Sequence, residues 1–177
     1  MFGFIKMARC SVNSNGAVKE PVKTLLLGMG NPILCDDAVG IRLARYIAPR
    51  VSHIPGLTVI EECSAGGLNI LDIVAGYDRM IILDSIKTHG GNPGDWYHFT
   101  AQRLRETMNI NNVHDTNLAT ALELGRRLGL KIPADHLISI FAVEVSDNVT
   151  FSERMTTELE STFHRYAEEI CLEILKS

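Results

Sequence analysis

The chain has 177 residues, 46% of them hydrophobic and 21% charged, with a formal net charge of −4. That length and balance fit one globular domain with its own core, and the negative charge speaks against a nucleic-acid partner, which would call for a basic face. No stretch approaches the roughly 20 uninterrupted apolar residues of a membrane span, and the opening Met1–Arg9 is too short and too broken by charge for a secretory segment.

Residues 1–22 lack periodicity and read as a flexible N-terminal leader, with an α/β domain over 23–177. Strands are expected at 24–28, 57–62, 79–84, 96–99 and 137–143. The first, third and last of these are nearly continuous apolar runs, as in strands buried on both faces of a parallel sheet. Helical patterns fall between them. One covers 38–50; one over 67–75 places Leu68, Leu71 and Ile73-Val74 on a single side. In 115–129, Leu118, Ala121, Leu122, Gly125 and Leu128 follow the i, i+3, i+4, i+7 rule. Thr150-Phe151-Ser152-Glu153 reads as a capping box opening a last helix through Leu159, Phe163, Tyr166, Ile170 and Ile174. Residues 85–95, rich in Gly, Asn and Pro, are a loop, and 103–114 lead irregularly to His114. Alternating strands and helices imply βαβ units: a single-domain α/β fold whose twisted, mostly parallel five-stranded sheet carries helices on both faces, of the phosphorylase/hydrolase-like kind.

In such sheets ligands bind beyond the carboxyl ends of the strands. The run Gly28-Met29-Gly30-Asn31-Pro32-Ile33-Leu34-Cys35-Asp36-Asp37-Ala38-Val39-Gly40 ends the first strand in a glycine turn and sets two acids where the next helix begins. A phosphate cradle would want bare N–H groups there and no carboxylates. Asp37, Asp84 at the end of the third strand and His114 before the 115–129 helix converge on this edge. Two carboxylates and an imidazole can hold a divalent ion with open positions, or one carboxylate can serve as general base without a metal. The plainer reading of Asp37 is a helix cap or first-turn acid, with Asp36 the better cap of the two. His114 alone would read as a loop-pinning residue, while Asp84, ending a buried apolar strand, needs a partner. His89, in the loop after Asp84, is a reserve metal ligand; His53, His98, His136 and His164 lie away from the edge.

Glu61-Glu62-Cys63-Ser64-Ala65-Gly66-Gly67 borders the same crevice, either as a turn with two solvated acids or as a rim that meets substrate. The substrate-contacting candidates are Gly30, Asn31, Cys63, Ser64 and Gly66. Cys35 and Cys63 fall in these loops, but neither has a His close in sequence to make a nucleophilic thiolate. Cys10, Cys35, Cys63 and Cys171 are widely spaced without a CxxC pair, which fits reduced thiols in the cytoplasm.

Over most of 23–175 the chain resembles the hydrogenase maturation endopeptidases. The resemblance rests on Gly28-Met29-Gly30-Asn31 with Asp36-Asp37-Ala38-Val39-Gly40, on Ile81-Ile82-Leu83-Asp84-Ser85-Ile86, on His114-Asp115 and on Phe141-Ala142-Val143-Glu144-Val145. It implies removal of a short C-terminal extension from the large-subunit precursor of a nickel-iron hydrogenase after nickel insertion. It also implies that Asp37, Asp84 and His114 contact nickel carried by that substrate, with no permanent cofactor, and that Asp37 or Asp84, or the metal, activates water. With the charge, hydropathy and cysteine usage above, the expected protein is a cytoplasmic monomer with neither nucleic-acid nor membrane partner. Many members carry Asp-x-Gly-Thr after the second strand, tied to partner choice; here Glu61-Glu62-Cys63-Ser64 stands in its place.

Two other readings are open. Leu27-Gly28-x-Gly30-Asn31-Pro32 also resembles the start of peptidyl-tRNA hydrolase, an esterase that wants a His-Asn pair near the first helix and a basic face. A non-catalytic nickel-binding maturation factor would use the same three ligands, although transfer proteins favour richer His or Cys tracts.

Overall fold

The computed structural model describes residues 20–106 and 113–176, the side chains of 104–106 and 113–117 excepted. The leader expected over 1–22 therefore lies outside the described residues, apart from 20–22. Five strands build one sheet: β1 (Thr24–Met29), β2 (Leu57–Cys63), β3 (Arg79–Ile86), β4 (Trp96–Thr100) and β5 (Ile138–Glu144). Their order is β2-β1-β3-β5-β4; all neighbours pair in parallel except β4, which closes one edge antiparallel to β5. The three central strands are those with the nearly unbroken apolar runs, because only they are covered on both faces.

The strand period of two divides these runs between two half-cores. Leu25, Leu27, Met80, Ile82 and Ile140 pack beneath α2 (Leu71–Val74), α3 (Ala101–Glu106) and α4 (Val113–Arg127). Leu26, Ile81, Leu83, Phe141 and Val143 pack beneath α1 (Val39–Val51) and α5 (Thr157–Lys176). Helices thus cover both faces. The chain leaves β1 for β2 on one side and returns to place β3 on the other, so the strand order reverses between β1 and β3. That reversal opens a crevice between the loop after β1 and the end of β3. No helix among the described residues is long and apolar enough to cross a membrane.

Several local expectations give way to tertiary contacts. The last helix starts at Thr157, not at the Thr150–Glu153 box: the Ser152 hydroxyl accepts the Arg154 amide instead, and Phe151 forms an antiparallel bridge with Leu34. The 67–75 helix shrinks to a 3-10 turn (Gly67–Ile70) followed by the short α2, which turns Leu68 to solvent and buries Ile70 in its stead. The fourth helix ends at Arg127, leaving Leu128 exposed, and it begins early enough to take His114 into its first turn. Glu61 and Glu62 belong to β2, where Glu62 pairs with Arg45 at 2.6 Å on the surface.

Candidate active site

The loop after β1 is forced tight by two glycines. Gly30 sits at φ +135°, a conformation side chains rarely adopt, and a β-carbon there would strike the Asp37 carbonyl. At Gly40 a β-carbon would strike the carbonyls of Met29 and Leu83, so its absence lets the start of α1 press onto the ends of β1 and β3. Between the glycines Asn31 folds back, its Oδ1 accepting the Ile33 amide at 3.2 Å, and a 3-10 turn (Cys35–Ala38) carries both acids into the crevice.

Asp36 does not cap a helix with its side chain, contrary to expectation. Fully buried, it gathers donors from the segment after β5. Its carboxylate accepts the amides of Ser146, Asp147 and Thr156 at 3.3, 3.1 and 2.7 Å, and the hydroxyls of Ser146 and Thr156 at 3.3 and 3.1 Å. Its own amide returns a bond to the Asp147 carbonyl at 2.9 Å. A buried carboxylate with this many donors is satisfied within the fold. Here it staples the segment 146–156 to the acid-bearing loop.

Asp37 is also buried but faces the other way. Its Oδ2 accepts the Asn31 amide at 2.8 Å and its Oδ1 the Ser85 hydroxyl at 2.9 Å. The Ser85 amide donates to Asp84 Oδ1 at 2.8 Å. One residue of β3 thus reaches both acids, through its hydroxyl and its amide, and holds the pair in a fixed relation. Asp37 and Asp84 line a common cleft of about 150 Å³. Gly30, Asn31, Cys63, Ser64 and Gly66 line it as well, so every candidate from the loops after β1 and β2 meets Asp84 there. His114 is placed at the start of α4, but its side chain lies outside the described residues. His89 is exposed in the loop after β3 and does not line the cleft.

The thiols are poorly placed for nucleophilic work. Burial pushes the Cys63 thiol up, with the Asp84 charge adding to it against the Ala65 amide. Burial, then the charges of Asp36 and Asp147, push Cys35 up as well. Among the described residues no three His, Cys, Asp or Glu side chains stand close enough to hold a metal ion by themselves. At roughly 30 Å³ per water, the cleft has room for about five waters.

Two residues, the cleft wall Asn148 and the β3 residue Ser85, hold places in the site that no motif assigns. Asn148 follows β5 on the carboxyl edge and forms a further wall; its place after an apolar strand, in a Ser-Asp-Asn turn, was the available signal. Ser85 lies next to Asp84, and its alternation with the apolar strand residues hid its role. Glu144, a second fully buried acid at the end of β5, is again internal. It accepts the Thr88 amide at 2.6 Å and the Thr88 hydroxyl at 2.8 Å, and Gly91 packs directly against its carboxylate.

Residues 41–173 match the hydrogenase maturation protease family. The hydrogenase 2 maturation protease of Escherichia coli K12 is 32% identical over 73 residues, which make up 41% of this chain and span 44% of that relative's own length. The fold is similar to that of the hydrogenase maturating endopeptidase HybD from E. coli, with a TM-score of 0.68 at 20% identity over 88% of this chain and 93% of that one. It is also similar to the NiFe hydrogenase maturation protease HybD from Thermococcus kodakarensis, with a TM-score of 0.63 at 21% identity over 86% and 99% of the two chains.

Proposed function

The chain belongs to the hydrogenase maturation protease family, and on that premise we propose that it is an endopeptidase that removes the C-terminal extension of a nickel-loaded hydrogenase large-subunit precursor. The observation that carries this reading is the shared cleft: Asp37 and Asp84 meet at the crevice between β1 and β3, linked by Ser85, with small loop residues around them. The precursor's tail lies across the carboxyl edge, bringing its nickel to Asp37 and Asp84, with His114 as third donor. A carboxylate of the pair, aided by the substrate's nickel, takes a proton from water as the water oxygen attacks the scissile carbonyl. The C–N bond then breaks and the proton passes to the leaving amine. Ser85 and the Asn31 amide orient Asp37 throughout. Asn31, Ser64 and Gly66 present polar and low-bulk surface to the extended tail. Because the metal comes with the substrate, cleavage doubles as a check that nickel is in place. The reading carries with it a cytoplasmic monomer with no permanent cofactor and no nucleic-acid partner.

Mass spectrometry of a nickel-loaded large-subunit precursor after incubation with this chain tests the reading. Loss of the tail's mass is expected only from the nickel-loaded form. A loaded precursor left intact, yet held in complex, would turn the assignment to a non-catalytic nickel-binding maturation factor.

A further inference from the structure

Beside the cleft stands an apolar lip that the core does not account for. Ile33, Val149 and Phe151 are 49%, 73% and 78% exposed, although they lie on two tightly fixed segments. The Leu34–Phe151 bridge and the Ser152 amide, bonded to the Ile33 carbonyl at 3.0 Å, join the segments to each other. Asn31 Oδ1 holds the Ile33 amide, and Asp147 Oδ1 holds the amides of Val149 and Thr150 at 3.1 and 2.9 Å. The large side chains are therefore presented on a preformed surface, which lowers the ordering cost of binding.

The lip is continuous with the cleft on both segments. Leu34, next to Ile33, and Asn148, next to Val149, are themselves cleft walls. The cleft walls Ser64, Ala65 and Gly66 are small and offer little to grip. The apolar area of the lip is on the order of 300 Å². A stable dimer buries about 800 Å² on each partner. The lip is thus too small to hold a second copy by itself and suits a transient contact at the mouth of a site.

We propose that Ile33, Val149 and Phe151 form the docking anchor for the folded body of the precursor, gripping an apolar patch beside the root of its tail. This deepens the proposed function and rests on it: a tail whose scissile bond lies against Asp37 and Asp84 leaves its parent protein seated on this rim. The lip then selects the precursor, while the acids act on its tail.

The test compares Phe151→Ser and Val149→Ser with the unaltered chain, each checked by thermal melting, on nickel-loaded precursor. Because both side chains are exposed, melting temperatures should not move. KM should rise about tenfold for Phe151→Ser, the scale of a lost apolar anchor, and less for Val149→Ser, with kcat changed less than about twofold. Binding of the precursor to Asp37→Asn, with and without Phe151→Ser, reads docking without catalysis and should weaken to the same degree. An unchanged KM and an unchanged binding constant overturn the proposal. So does sedimentation showing that Phe151→Ser dissociates a dimer while processing stays normal, which would give the lip to a second copy. Should the unaltered chain bind the precursor through Phe151 without cleaving it, the docking surface stands and the endopeptidase reading falls.

Discussion

Asp36 and Asp37 are consecutive, both buried, and carried by the same 3-10 turn, yet they belong to two different parts of the molecule. Asp36 looks into the segment 146–156, and its carboxylate is filled by five amide and hydroxyl donors from a region more than 100 residues away. Asp37 looks into the cleft, held by the Asn31 amide and the Ser85 hydroxyl, and it remains on the wall of an open space. Glu144 repeats the first pattern at the end of β5, where it fastens the loop after β3. Buried acids on the carboxyl edge of the sheet therefore stand in two settings, and what separates them is how many of their lone pairs the fold itself occupies.

Neighbouring substitutions should accordingly fail in opposite ways. The largest effect on activity is expected from Asp37→Asn. Asparagine can still accept one of the two bonds, so the fold should hold, with a melting temperature within a few degrees of the parent. Removing the charge and basicity should slow tail removal by about a thousandfold or more, the upper range for a general base. Normal processing by Asp37→Asn would break the comparison, because the cleft acid would then be structural too. The measurement is the rate of tail release from nickel-loaded precursor beside a thermal melt.

Next in size is the reverse case. Asp36→Ala strips the buried acceptor from five half-buried donors, and the expected loss is about 3–5 kcal/mol of stability. In a chain of this length that is about 10 °C in melting temperature. Asp36→Asn, which keeps an oxygen in place, should lose roughly half as much. Whatever fraction stays folded should still process precursor, with its defect in proportion to unfolding. A fully stable Asp36→Asn that had lost activity would sharpen the picture differently, by making Asp36 a partner in the chemistry.

The division between the two acids also explains what could be read from the chain alone. The central strands were legible because burial on both faces leaves an apolar run with no other use. Asp37 and Asp84 were legible as neighbours because each follows or ends such a run, and the strand ends share one edge. The task of Asp36 was not, since its donors at Ser146, Asp147 and Thr156 are distant in sequence and no local pattern announces them. The same contacts set where the last helix begins: Thr156 gives its amide and hydroxyl to Asp36, so the helix opens at Thr157 and the Thr150–Glu153 box is left in the connecting segment. Asn148 is hard to read for a related reason, as its place in the cleft depends on that staple.

The smallest effect is expected at Cys63, which lines the cleft beside the two acids. Burial holds this thiol above its ordinary value of 9.0, with the Asp84 charge reinforcing the shift, so near pH 8 it is a protonated wall and not a nucleophile. Cys63→Ser should keep tail removal within about threefold of the parent, and alkylation of the folded chain at pH 8 should be slow at this position. The pH dependence has a definite sign. A raised value in the fold means that the folded state holds this proton more tightly than the unfolded chain, so the contribution is complete below pH 9 and is lost as pH rises through the folded value. The parent should therefore lose stability relative to Cys63→Ser only on the alkaline side, seen as converging or crossing melting temperatures above pH 9. A hundredfold loss of processing in Cys63→Ser, with the fold intact, would move the chemistry from the carboxylates to the thiol. The contrast between an acid that builds and an acid that acts would then no longer describe this cleft.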